Sequence, residues 1–186
     1  MRIQWLIMVP WLLCSCVSLP TETTLEALDS STGATVTHLA KPLELLATEP
    51  LGAKQDPFAY LAPFEINRAG KRSLWLWMEL PVLADKAAAV ARDVHLQCGG
   101  NSLALDAKPI DLIALGLSSP PYAAAASWNS VLIAPLSAAQ LQALGAVGQI
   151  VLQIGAVEVT DTGANFAGAW SGPEVIARFR ESLGLH

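Results

Sequence analysis

The chain has 186 residues, enough for one domain with a real buried core. A formal charge of −5 makes nucleic acid, and unaided binding to an anionic lipid surface, poor candidates. Only three cysteines are present, and two lie in the first sixteen residues, so the fold does not rest on a disulfide framework.

Met1-Arg2 is followed by "IQWLIMVPWLL", an uncharged run of 11 residues. A spanning helix needs roughly 20 apolar residues, whereas about 10–14 suit a signal-peptide core. Leu13, Cys14, Ser15 and Cys16 come next. Leu stands three residues before Cys16 and a small residue directly before it, which resembles the lipobox of bacterial lipoproteins. In that family the chosen Cys receives a diacylglycerol thioether, the signal is removed, and the new amine is acylated. The resemblance therefore implies a signal peptide over residues 1–15 and lipidation at Cys16. Cutting before Cys14 would put Leu13 at the small-residue position, so Cys14 is discarded with the signal. Without the resemblance, an uncleaved signal anchor stays open. Val17 follows the anchor, where an Asp would signal inner-membrane retention in enterobacterial members. This implies the periplasmic face of the outer membrane. Loss of the signal removes only Arg2, so the formal charge becomes −6. Several acyl chains on one residue hold a protein to a membrane effectively permanently, whereas one chain binds only marginally.

Residues 16–32, including "VSLPTETTLEALDSST", are rich in Ser, Thr and acids and predict a lipid-anchored tether, with a short helix around Leu25 as the alternative. A single β-rich domain over 33–186 follows. "ATVTHLAKPLELLA" predicts strand structure broken near Pro42. "PFAYLAPFEIN" and "RSLWLWMEL" flank "RAGK" and predict a hairpin turning near Gly70. Pro63 cannot donate to a ladder, which predicts an edge or a bulge there. The second strand of this hairpin is apolar on both faces and predicts a central or covered position. In "DVHLQC", Val94, Leu96 and Cys98 point one way, and Asp93, His95 and Gln97 the other. "GGN" then turns into "SLALDA". "QIVLQIGAVEV" predicts one strand with Ile150, Leu152, Ile154 and Ala156 on its core face. Ser137 with Gln140, and Ser171 with Glu174, predict capping boxes that open two helices. Pro173 suits the first turn of the second helix. That helix carries Val175, Ile176, Phe179 and Leu183 as an apolar stripe and turns Arg178, Arg180 and Glu181 to water.

On "TGATVTHLAKP", "PFEINRAGKRSLWLW" and "VLIAPLSAAQLQAL" the chain resembles a family of uncharacterised proteobacterial lipoproteins, which carries no activity to transfer. The number of short strands predicts a mainly β fold: an immunoglobulin-like antiparallel β-sandwich with one short internal helix and a C-terminal helix, or alternatively an α+β fold.

No phosphate-binding loop, zinc-protease helix or nucleophile elbow is present. The chain is read as non-enzymatic, with no catalytic residues, no metal site and no cofactor. Cys98 reads as a core thiol and His95 as a solvated strand residue. Residues 112–157 form an uncharged stretch of 46 positions. It reads as a buried strand plus a packed helix, or as an uncharged surface that meets a partner or the bilayer. Within it, "GLSSPPYAAAASWNS" predicts a long loop bearing Tyr122 and Trp128, which act as recognition aromatics or as plugs that pin the loop. Trp75 and Trp77 join them as candidate partner-binding residues. The expected function is a non-catalytic, lipid-anchored envelope protein that binds another protein or scaffolds an assembly, with no nucleic acid partner. The alternative is a periplasmic carrier or sensor of an apolar small ligand.

Overall fold

The computed structural model describes residues 23–51, 56–98, 101–163 and 170–185. In chain order these form β1 (Thr24–Asp29), β2 (Ala34–Leu39), β3 (Leu43–Leu51), β4 (Asp56–Arg68), β5 (Lys71–Leu80), α1 (Ala84–Val90), β6 (Val94–Cys98), β7 (Asn101–Ala104) and β8 (Lys108–Pro109). Then follow α2 (Leu112–Leu115), β9 (Ser130–Leu136), α3 (Ala138–Ala146), β10 (Val151–Ile154), β11 (Val157–Asp161) and α4 (Gly172–Ser182). The architecture is mainly β and antiparallel, a curled sheet consistent with the sandwich expectation.

The β4–β5 hairpin closes with Arg68 opposite Lys71, leaving Ala69 and Gly70 as a two-residue turn. Their φ values of 49° and 83° are both left-handed. This is the primed turn whose twist matches that of the flanking strands. The Gly70 N–H also donates to Asn67 Oδ1 at 3.1 Å.

Hydrogen bonds join the strands in the order β7-β6-β10-β11-β3-β4-β5-β9-β8, with β2 pairing β4 and β1 pairing β2 off that path. One edge of β4 is handed from β3, which pairs as far as Leu61, to β2, which begins pairing at Phe64. Pro63 falls in the gap between the two partners, while its other side pairs Leu76 of β5. The proline therefore neither bulges β4 nor pushes it to an edge. A residue without an N–H occupies a place where none is required.

Strand parity separates two faces. Leu61, Leu76, Met78, Leu132 and Leu45 share the main core face, in one buried cluster with Leu152 and Val159. Leu141 and Leu144 of α3, and Val175, Ile176 and Phe179 of α4, belong to the same cluster. Both capping boxes form as the sequence predicts. Gly145 lets the two helices approach: a Cβ there would sit 3.2 Å from the Ala177 backbone. The last turn of α4 is held by Arg72, which donates to the Leu183 carbonyl at 2.8 Å and pairs with buried Glu65 at 2.6 Å.

Four expectations change. Residues 24–29 are a sheet strand, neither tether nor helix, so the domain begins ahead of residue 33. Gly155, at φ 60°, turns the chain with Ala156, so "QIVLQIGAVEV" is a hairpin and Ala156 is exposed at its tip. The helices α1 and α2 add to the two expected ones, and α2 is capped by Asp111, whose side chain accepts from the Ala114 N–H at 3.0 Å. Arg180 is half-buried, whereas Arg178 and Glu181 are exposed. No helix among the described residues is long and apolar enough to cross a membrane; "VLIAPLSAAQLQAL" divides into β9 and α3.

Candidate partner-binding surface

The face of the sheet opposite the main core carries Trp75, Trp77 and Glu79 of β5 together with Phe64, which pairs Trp75. The loop over residues 117–129 lies across it as a strap, and Leu115 of α2 packs beside Ile66 and Ser73 on the same face. At one end the Ser118 N–H and hydroxyl donate to Asp29 at 2.6 and 2.8 Å. These bonds hold the Asp29 carboxyl down at about 2, the backbone bond contributing most and the hydroxyl next. In the middle, Tyr122 packs on Trp77 and edge-on to His38, with ring centroids 5.0 Å apart in each pair. Burial pushes the Tyr122 phenol well above its ordinary value, the Leu39 backbone opposing this weakly. At the far end Glu79, 1% exposed, accepts from the Ala125 N–H at 2.7 Å, the Ala126 N–H at 3.4 Å and Asn129 Nδ2 at 2.6 Å. A buried carboxylate is stable there because the strap supplies its donors.

Two of the four candidate aromatics thereby leave the surface. Trp77 and Tyr122 are buried and plug the strap, the role an aromatic takes when it pins a long loop. Trp75 and Trp77 share a face, and the strap covers only Trp77. Trp75 stays half-buried; its indole N–H donates to Ser73 Oγ at 3.0 Å, and Lys108 Nζ lies 5.9 Å from the ring centroid. It borders an open groove of about 420 Å³ lined also by Arg72, Leu74, Pro135, Leu136 and Leu185. Trp128 is 43% exposed on the strap. The structure thus leaves Trp75 and Trp128 at the surface.

The second surface feature is β1. It pairs β2 on one side, and among the described residues no strand pairs its other side. The Ala40 N–H donates to the Thr23 carbonyl at 2.8 Å, and these residues lie opposite one another in the β1–β2 register. By alternation, Leu25, Ala27 and Asp29 bond β2, while Thr24, Glu26 and Leu28 turn their backbone N–H and C=O outward. Leu25 is 42% and Leu28 69% exposed. Sequence reasoning missed this strand because leucines three apart among polar residues suit a helix or a tether better than a half-buried strand.

Cys16 lies outside the described residues. Cys98 ends β6 opposite Asn101, and its side chain is likewise outside the description. His95 is half-buried and lies opposite Gln153. Among the described residues no three His, Cys, Asp or Glu side chains converge as a metal site. Comparison with family models, with curated proteins and with solved structures finds no match to this chain.

Proposed function

We propose that the chain is a lipid-anchored, non-catalytic envelope protein that binds another protein, or scaffolds an assembly, from the periplasmic face of the outer membrane. The observation that carries the reading is the nearness of the lipobox Cys16 to an open sheet edge beginning at Thr24. Eight residue steps extend at most about 25–29 Å, so a lipid on Cys16 keeps that edge close to the bilayer surface. Confinement to one membrane raises the effective concentration of partners held in the same layer. The half-buried Trp75 and exposed Trp128 add aromatic contact area of the kind that dominates interface energetics.

The test is metabolic labelling with a fatty-acid analogue. Wild type takes the label, and Cys16→Ala accumulates as an unlabelled precursor. Label retained on that variant, or moved to Cys14, defeats the anchor assignment. The second reading, a carrier of an apolar ligand, is favoured by the open groove beside Trp75. Quenching of tryptophan emission by a titrated fatty acid, lost in Trp75→Ala, would select it.

A further inference from the structure

We propose that the outer edge of β1 binds an extended, basic and apolar segment of another envelope protein, which adds to the sheet as an antiparallel strand. This rests on the partner-binding reading above and names the partner's chemistry.

Among the described residues, β1, β7 and β8 end the strand order. Natural sheets blunt such edges with short strands, prolines, lysines or bulges. β8 has two residues, one of them Pro109, and β7 has four. β1 has six residues, with no proline and no cation. It is the least defended edge. Thr24, Glu26 and Leu28 offer it three outward N–H and C=O groups. Leu25 and Leu28 lie on opposite faces, so an added strand meets one exposed leucine on each side of the sheet.

Charge and register decide what that strand is. Glu26 stands in the middle of the edge and Asp29 at its end. A second copy of the chain fits badly in the two registers that pair most of β1; the register centred on residue 25 leaves only residues 23–27 in overlap. In an antiparallel pair, residues with outward backbone groups oppose one another. Centring the pair on residue 26 sets Glu26 against its own copy. Centring it on residue 27 sets Glu26 against Leu28 and Leu25 against Asp29. Like charges in direct opposition destabilise, and the other register matches leucine with carboxylate. A different strand, with Lys or Arg opposite Glu26 and β-branched apolar residues beside it, satisfies both the carboxylate and the leucines. Such β-augmentation draws affinity from main-chain bonds and specificity from alternate side chains.

The experiment uses the full lipidated protein in detergent at low salt and a fluorescein-labelled, end-capped eight-residue peptide of alternating Val and Thr. The peptide has one central Lys. Matched probes carry Glu in its place or N-methylated alternate amides. By anisotropy the Lys peptide should bind about fivefold tighter than the Glu peptide. Glu26→Lys should invert that order, and the N-methylated peptide should not bind. Glu26→Pro removes the outward N–H together with the carboxylate, so it should lose the Lys and Glu peptides alike with an unchanged circular dichroism spectrum, whereas Glu26→Gln should keep both and abolish the difference between them; if the Pro variant unfolds, Glu26→Lys and Glu26→Gln carry the test. Equal binding of Lys and Glu peptides, undiminished binding of the N-methylated probe, or no binding overturns the proposal. So does a wild-type dimer, seen by sedimentation, that Glu26→Lys abolishes. A membrane partner that wild type and Glu26→Lys recover equally overturns the edge assignment and leaves the partner-binding function standing. Peptide binding without any membrane partner overturns the function and leaves the edge.

Discussion

Ala69 takes a φ of 49°, where an L side chain crowds its own backbone. The β4–β5 turn needs two left-handed residues in succession, and only Gly70 takes that conformation without strain. Ala69→Gly should therefore raise stability by about 0.5–1 kcal/mol, read as a higher urea midpoint at unchanged slope; a lower midpoint would contradict the strain argument. "RAGK" announced the turn from sequence, but not that its alanine carries half of it, because a turn signal fixes the place and not the φ of each residue. Asp29 gives a pH test. Its carboxyl sits at about 2 against an ordinary 3.8, because the Ser118 N–H, and then its hydroxyl, favour the charged form. A depressed carboxylate supports the fold above its unfolded value and loses that support as pH falls through the folded one. Exchange protection of the Ser118 amide should hold above pH 4 and fall between about 4 and 2. Loss of protection centred above pH 4 would refute the bond as its cause.

At the scale of elements, the strap is secured at both ends by carboxylates on distant strands. Glu79→Ala leaves the Ala125 and Ala126 N–H groups and the Asn129 amide facing an apolar gap. The expected cost is about 3 kcal/mol, with faster acrylamide quenching of tryptophan as Trp77 becomes accessible. Glu79→Gln, which keeps an acceptor oxygen, should lose less. Equal losses would show that packing alone seats the loop. The helices α3 and α4 were legible down to the cap, because Ser137 with Gln140 and Ser171 with Glu174 are local signals satisfied within one turn. The strap was legible only as a loop. Whether Tyr122 faces out or in is decided by Trp77 and His38, which lie far away in sequence. β1 was illegible for a related reason: an edge strand paired on one side and wetted on the other carries no clear apolar alternation, and "TLEALD" shows none.

For the whole molecule, composition and strand count gave the antiparallel β class, while the order of strands was beyond reach. Hairpins join neighbours in sequence: β1–β2, β3–β4, β4–β5, β6–β7 and β10–β11. The remaining neighbours pair segments far apart, and nothing local in Leu45 or Leu96 says that residues 151–161 will come between their strands. That hairpin carries a consequence for how the molecule folds. β10 is the neighbour of β6 and β11 the neighbour of β3, so β10–β11 is the keystone joining β6–β7 to the rest. A chain cut after residue 149 leaves β6–β7 as an isolated hairpin, marginal at best in water, so the β6 amides should lose their hydrogen-exchange protection. Protection of β6 retained in that fragment would refute the keystone role. Because loop closure must precede the gain from such distant pairings, refolding of the full domain should take milliseconds to seconds rather than microseconds. During synthesis the sheet waits in two pieces until residue 161 is available. Until then unpaired strand edges stay exposed on the nascent chain, open to capture by chaperones or to mispairing with another chain.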